Sequence, residues 1–270
     1  MSMPLAVMAA DADAADSVSV DAHGLSAAPE TWPILGVDVA VLDRAAALDA
    51  LVRQVGQPAR LDRIAFLNAH GANLAVAQPS FRRTLASFTV LADGVGVDLA
   101  ARMLHGAPFP DNLNGTDLVP QLLARLPEGS RVALFGGQAG VAAGAADRWR
   151  TAYPGLRFRV LGAGFGFDTD AILANLAGDP ADLLLVAMGN PVQEDWIVRH
   201  VRAEHASVAM GVGALFDFVA GRVQRAPAWM IRLRVEWLYR LWVEPGRMWR
   251  RYVVGNPLFL WRVLRARGRG

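Results

Sequence analysis

Cysteine is absent from the 270 residues, and so is lysine. The first absence excludes disulfides, thiolate metal ligands and cysteine nucleophiles together, and agrees with a reducing compartment. The second makes all 27 basic residues arginine, a usage in keeping with a GC-rich genome, so where the arginines fall says more than how many there are. Histidine is scarce, with five scattered residues and no His-x-x-x-His or Glu-x-x-His spacing, which leaves no convincing metal site. No run reaches the roughly 18 uninterrupted apolar residues that cross a bilayer. Residues 1–30 lack a sustained apolar period and read as a flexible leader. They contain acidic residues, have no basic start and so do not resemble a secretory signal; the protein is expected to stay in the cytoplasm.

What remains is 53% hydrophobic, with 26 Gly, 15 Pro and 19% charged residues, enough for one substantial core. Its charge is polarised. Residues 221–270 hold 12 Arg against two acids, Glu236 and Glu244, and five of the eight Trp, at positions 229, 237, 242, 249 and 261. A basic segment suits nucleic acid, a membrane surface or an anionic substrate, and the Trp enrichment tilts the choice to a lipid interface without nucleic acid. Residues 227–270 read as helix punctuated by Pro245, Gly255 and Pro257, an appendage to a domain over 31–226.

Within that domain, short apolar runs alternate with amphipathic segments, which predicts an α/β fold: a Rossmann-like, mostly parallel sheet flanked by helices. Strands are expected over Ile34–Leu42, Arg63–Asn68, Phe88–Ala92, Arg131–Phe135, Arg157–Leu161, Leu183–Met188 and Ser207–Met210. Helices are expected near 44–56, 72–87, 96–104, 116–126, 138–152, 169–177, 191–203 and 214–220. Ligands of such sheets bind beyond the carboxyl ends of the strands.

The candidates at those ends differ in what they can do. Asp93 in Asp93-Gly94-Val95-Gly96 could take a proton from a hydroxyl, or could cap the helix starting near Gly96; spacing leaves both open. Asn68 also follows a strand directly, whereas His70 is assigned no catalytic role. Gly136 and Gly137 could admit a phosphate to a helix N-terminus, or could serve close helix–sheet packing. In Gly189-Asn190-Pro191-Val192-Gln193-Glu194, Gln193 could donate to sugar or phosphate oxygens, and Glu194 suits a partner of the helix dipole better than catalysis. Asp168-Thr169-Asp170 imitates a metal-binding Asp-x-Asp but fits a helix cap better. Among the 12 C-terminal arginines, Arg240, Arg247 and Arg250 accompany Trp237, Trp242 and Trp249. Guanidinium forks together can neutralise a diphosphate, but a solvated basic face snorkelling over lipid is the better reading for most of the 12, and spacing alone does not pick the three.

From Ile34 to Leu264 the chain resembles the WecG/TagA/CpsF family of bacterial glycosyltransferases. The resemblance rests on Asp93–Gly96, Leu134–Gly137, Gly189–Glu194, Gly211–Phe218, Gly221–Pro227, Glu236–Arg240 and Gly255–Phe259. It implies inverting transfer of a hexose, without metal or cofactor, from a UDP-sugar to a polyprenyl-diphosphate-linked sugar, forming a β-1,4 bond. Asp93 is then the general base, with Asn68 and Gln193 lining the site, and Arg240, Arg247 and Arg250 bind diphosphate from an appendage that closes over it. Gly94, Gly96, Asn112, Thr116, Asp117, Gly136, Gly137, Gly189, Glu194, Gly213 and Asp217 complete the expected substrate site.

One position departs from the family: Asn112 stands where many members place an Arg shortly before the glycine matching Gly115. The local pattern is similar to members adding the second glucose in xanthan-type exopolysaccharide assembly. UDP-glucose is therefore the first expected donor, and UDP-N-acetylmannosamine or its uronic acid the alternative. The expected location is peripheral, on the cytoplasmic face of the bacterial inner membrane; a homo-oligomer stays open. Two further readings are a nucleotide-dependent oxidoreductase built on the Gly136–Gly144 turn and a non-catalytic membrane adaptor.

Overall fold

The computed structural model describes residues 29–57, 59–164, 166–227, 229–230, 236–243 and 245–268. The leader expected over 1–30 lies almost wholly outside them. The chain enters through a small antiparallel hairpin, β1 (Thr31–Ile34) and β2 (Val37–Ala40), in which Ile34 pairs with Val37. The single strand expected over Ile34–Leu42 is thus a correction: Leu35 and Gly36 both take positive φ, at 51° and 84°, and turn the chain back on itself.

The main sheet has six strands in the order β4-β3-β8-β7-β5-β6, every neighbouring pair parallel. These are β3 (Asp62–Leu67), β4 (Thr89–Ala92), β5 (Arg131–Gly136), β6 (Arg157–Gly162), β7 (Ala181–Ala187) and β8 (Ala206–Gly211). Central strands β7 and β8 are buried along their whole length, as expected of parallel strands covered on both faces. Because all six run the same way, residues 68, 93, 137, 188 and 212 leave the sheet at one edge.

Helices α1 (Arg44–Gln54), α5 (Gly115–Leu123), α6 (Val141–Ala152) and α9 (Leu215–Val219) contribute to one core cluster. On another side lie α2 (Ala69–Ala77), α3 (Pro79–Leu85) and α4 (Val95–His105), while α7 (Thr169–Gly178) and α8 (Val192–His200) pack with β7 and Phe135. The one helix expected over 72–87 is two, because Pro79 cannot donate to the preceding turn and holds Gln78 extended. The Asp168 side chain accepts from the amides of Asp170 and Ala171, so the Asp-Thr-Asp segment is the helix cap the spacing favoured.

Beyond the sheet come α10 (Glu236–Val243), α11 (Pro245–Trp249), a π-helical turn over Arg250–Val254 and α12 (Gly255–Arg267). None of the described helices is long and apolar enough to cross a membrane. The last one is tied to the body. Its Phe259 and Val263, one turn apart, are buried in the same cluster as Ala72 and Ala75 of α2 and Val97 and Ala100 of α4. Buried Asn73 donates to the Gly255 carbonyl at 2.7 Å, and Arg262 donates to both the Asn73 carbonyl and its side-chain oxygen, at 2.9 and 2.8 Å. The opposite face of α12, with Leu258, Trp261 and Leu264, is exposed.

Candidate active site

At the carboxyl ends of β3 and β4, Asn68 and Asp93 meet. Asn68 is the N-cap of α2: its side-chain oxygen accepts from the Gly71 amide at 3.1 Å, which leaves its Nδ2 to donate to Asp93 Oδ2, also at 3.1 Å. The helix after Asp93 begins without a side-chain cap, on Gly94. Of the two roles that spacing leaves open for Asp93, capping is therefore not the one found. Its half-buried carboxylate is oriented by an amide instead, an arrangement suited to accepting a proton from a bound hydroxyl. Gly96 is the second residue of α4, where a Cβ would stand 3.2 Å from that of Ala69.

A second group converges from α1, the 111–117 segment and the loop after α9. Asn112 accepts the Gly94 N–H at 2.8 Å through its side chain and the Arg44 guanidinium at 2.7 Å through its carbonyl. Asp117 accepts from Asn114 at 2.8 Å and from Arg225 at 2.5 Å. Burial pushes its carboxyl upward, but the hydrogen bonds of Asn114 and Arg225 and the charges of Arg225 and Arg44 outweigh that and hold it below the ordinary carboxylate value. Thr116 is half-buried beside it in the first turn of α5, and the half-buried Asp217 lies on α9, its carbonyl closing the turn at Arg222 and Val223. Nothing in the linear spacing singles out Arg44 or Arg225; each is brought to Asp117 from a distant part of the chain.

The glycines at the end of β5, Gly136 and Gly137, have a structural reason to be glycine. A Cβ on Gly136 would stand 2.5 Å from the Ala187 carbonyl oxygen, and the Gly137 amide donates to that same oxygen at 2.7 Å. The close approach at Gly136 is between the backbones of β5 and β7, whereas a Cβ on Gly137 would stand 3.2 Å from that of Val141 in α6; the amide of Gly137 is already engaged.

The ends of β7 and β8 are joined through α8. Gln193 is buried, and its side-chain oxygen accepts from both Gly189 and Gly213, at 3.1 and 3.0 Å. Its Nε2 donates to Glu194 Oε1 at 2.7 Å, and Asn190 donates to the same oxygen at 2.6 Å. Gly211 leaves the space this needs, since a Cβ there would lie 2.8 Å from Gln193 Nε2. Gln193 thus links two strand ends through its oxygen and holds Glu194 through its Nε2, and Glu194, read from spacing as a helix-dipole partner, is fully buried.

Of the three C-terminal arginines singled out from sequence, the side chains of Arg240 and Arg247 lie outside the described residues, and Arg250 is exposed. The neighbouring Arg251 is half-buried. Burial and the Arg251 charge together lower the pKa of His70, one residue into α2 from the Asn68–Asp93 pair, so this imidazole is neutral at pH 7.

Burial raises the Glu194 carboxyl from 4.5 to about 7, against the hydrogen bonds from Gln193 and Asn190 that pull it down. A folded pKa above the unfolded one means the native state holds its proton more tightly. The associated stability is complete below pH 4.5 and lost as pH rises through about 7. The loss is on the order of 3 kcal/mol. Urea melts at pH 5 and pH 8 should show this fall in the wild type and a much flatter response in Glu194→Gln; equal slopes in both proteins contradict the assignment.

A family model described as glycosyl transferase WecG/TagA/CpsF family matches residues 32–270. Among curated relatives, N-acetylglucosaminyldiphosphoundecaprenol N-acetyl-beta-D-mannosaminyltransferase of Bacillus spizizenii is 32% identical over 193 residues, covering 71% of this chain and 74% of its own. The enzyme of the same name from Bacillus subtilis is 32% identical over 163 residues, 60% of this chain and 63% of its own. A third, from Staphylococcus aureus, is 28% identical over 180 residues, 66% of this chain and 69% of its own. With nearly all of the chain after the leader matched, and with the strand-end motifs in place on a parallel sheet, this protein belongs to the WecG/TagA/CpsF family of glycosyltransferases.

Proposed function

We propose that the protein transfers N-acetylmannosamine from UDP-N-acetylmannosamine to an N-acetylglucosaminyl-diphospho-polyprenol, with inversion, forming a β-1,4 bond. The observation that carries the reading is the Asn68–Asp93 pair at the strand ends, a carboxylate oriented by an amide and not engaged as a helix cap. The donor replaces the UDP-glucose expected from sequence, and the exopolysaccharide setting goes with it, because the relatives named above are mannosaminyltransferases. An oxidoreductase built on the Gly136–Gly144 turn has no comparable support, and a non-catalytic adaptor does not suit a member of a glycosyltransferase family.

In the proposed step the acceptor hydroxyl oxygen bonds to the anomeric carbon of the donor as the bond from that carbon to the diphosphate breaks. Asp93 takes the hydroxyl proton, and the bonding pair leaves with UDP. The diphosphate needs cationic partners, a role for Arg240, Arg247 and Arg250, to which the half-buried Arg251 is added. Trp229, Trp242, Trp249 and Trp261 are each more than half exposed among these arginines. Such a surface suits a peripheral seat on anionic lipid, on the cytoplasmic face of the inner membrane.

Offered equal concentrations of UDP-N-acetylmannosamine and UDP-glucose with a short-chain prenyl-diphospho-N-acetylglucosamine, the enzyme should use the first at least about tenfold better; a preference for UDP-glucose overturns the donor. The protein should also sediment with anionic vesicles, less so at high salt and less so when Trp242 and Trp261 are both changed to Ala. Sedimentation that ignores both changes rules out this surface as the membrane contact.

A further inference from the structure

The peptide groups on both sides of Asp93 are pinned. On its N-terminal side the Asp93 amide donates to the Leu67 carbonyl at 2.9 Å, and the Ala92 carbonyl accepts from Leu113 at 2.8 Å. On its C-terminal side the Gly94 N–H donates to the Asn112 side-chain oxygen at 2.8 Å. Rotation about the Asp93 Cα–C bond therefore meets the Asn112 acceptor, and rotation of the side chain meets Asn68. The segment carrying Asn112 is held in turn by α1. Arg44 donates to the Asn112 carbonyl from its guanidinium, and its backbone amide donates to Asp111 at 2.9 Å, while Leu113 is anchored in the core.

We infer that Asn112 is a positioning residue for Asp93, acting through the Gly94 amide, and that Arg44 holds it in register. The inference rests on the reading of Asp93 as the general base. Asn112 then acts on the rate of the chemical step and not on donor affinity, because its side-chain oxygen faces backbone. The sequence expectation that it lines the substrate site gives way to this role. A carboxylate displaced by a fraction of an ångström loses reach to the hydroxyl, and misplacement of about 1 Å can cost on the order of 100-fold.

The test uses the full chain with UDP-N-acetylmannosamine and a short-chain prenyl-diphospho-N-acetylglucosamine, with thermal melts confirming that each variant folds. Asn112→Ala should lower kcat about 10- to 100-fold with the donor KM changed less than about threefold. Asn112→Asp, which keeps an acceptor oxygen, should recover most of that loss. Arg44→Ala should cost less, and adding it to Asn112→Ala should cost little more, since the two act along one chain of contacts. Wild-type kcat in Asn112→Ala, a rise in KM in place of the fall in kcat, or an Asn112→Asp enzyme no better than Asn112→Ala overturns the inference. Asp93→Asn separates the two ideas. If it is inactive while Asn112→Ala is unimpaired, the inference alone fails; if it turns over normally, the base reading and the inference fail together.

Discussion

Parallel pairing of all six strands of the main sheet is the constraint from which the candidate site follows. It sends every strand end to one edge, so residues 25 apart in sequence, Asn68 and Asp93, come within a hydrogen bond of each other. The loops at that edge then hold one another. Asn68 caps α2 with one end of its carboxamide and orients Asp93 with the other; Gln193 joins the ends of β7 and β8 through its oxygen, which accepts from Gly189 and Gly213, and turns its Nε2 to Glu194. Carboxamides suit this work because each offers a donor and an acceptor in a fixed plane.

The basic, aromatic tail is joined to this arrangement through α12. Its inner face is core: Phe259 and Val263 pack on α2 and α4, the two helices that start at Asn68 and just after Asp93. Its outer face carries Trp261 with the Arg265 guanidinium 5.4 Å above the ring. On the proposed reading, α12 meets lipid with its outer face and packs with its inner face on the helices that flank Asp93, which would hold a lipid-linked acceptor near the proposed base.

Much of the fold was legible because buried parallel strands are nearly continuous apolar runs, and those at Arg131–Phe135 and Leu183–Met188 stand out between glycines. The hairpin at Leu35-Gly36 was not, because leucine at positive φ leaves no turn signature in sequence. Pro79 starts one helix as readily as it ends another, so α2 and α3 read as one. For the site, spacing placed Asp93 and Asn68 at strand ends but could not tell that Asp93 leaves the capping of α4 to Gly94. The burial of Glu194 and the approach of Arg44, Arg225 and Arg251 depend on tertiary contacts that no local pattern encodes.

The central claim is that Asp93 accepts the proton of the attacking hydroxyl. Asp93→Asn keeps the size and shape of the side chain and removes its basicity. Measured together, donor binding should be unchanged and transfer to the lipid-linked acceptor should fall about 10²- to 10⁴-fold. Transfer within a few-fold of the wild type, with donor binding intact, would contradict the account.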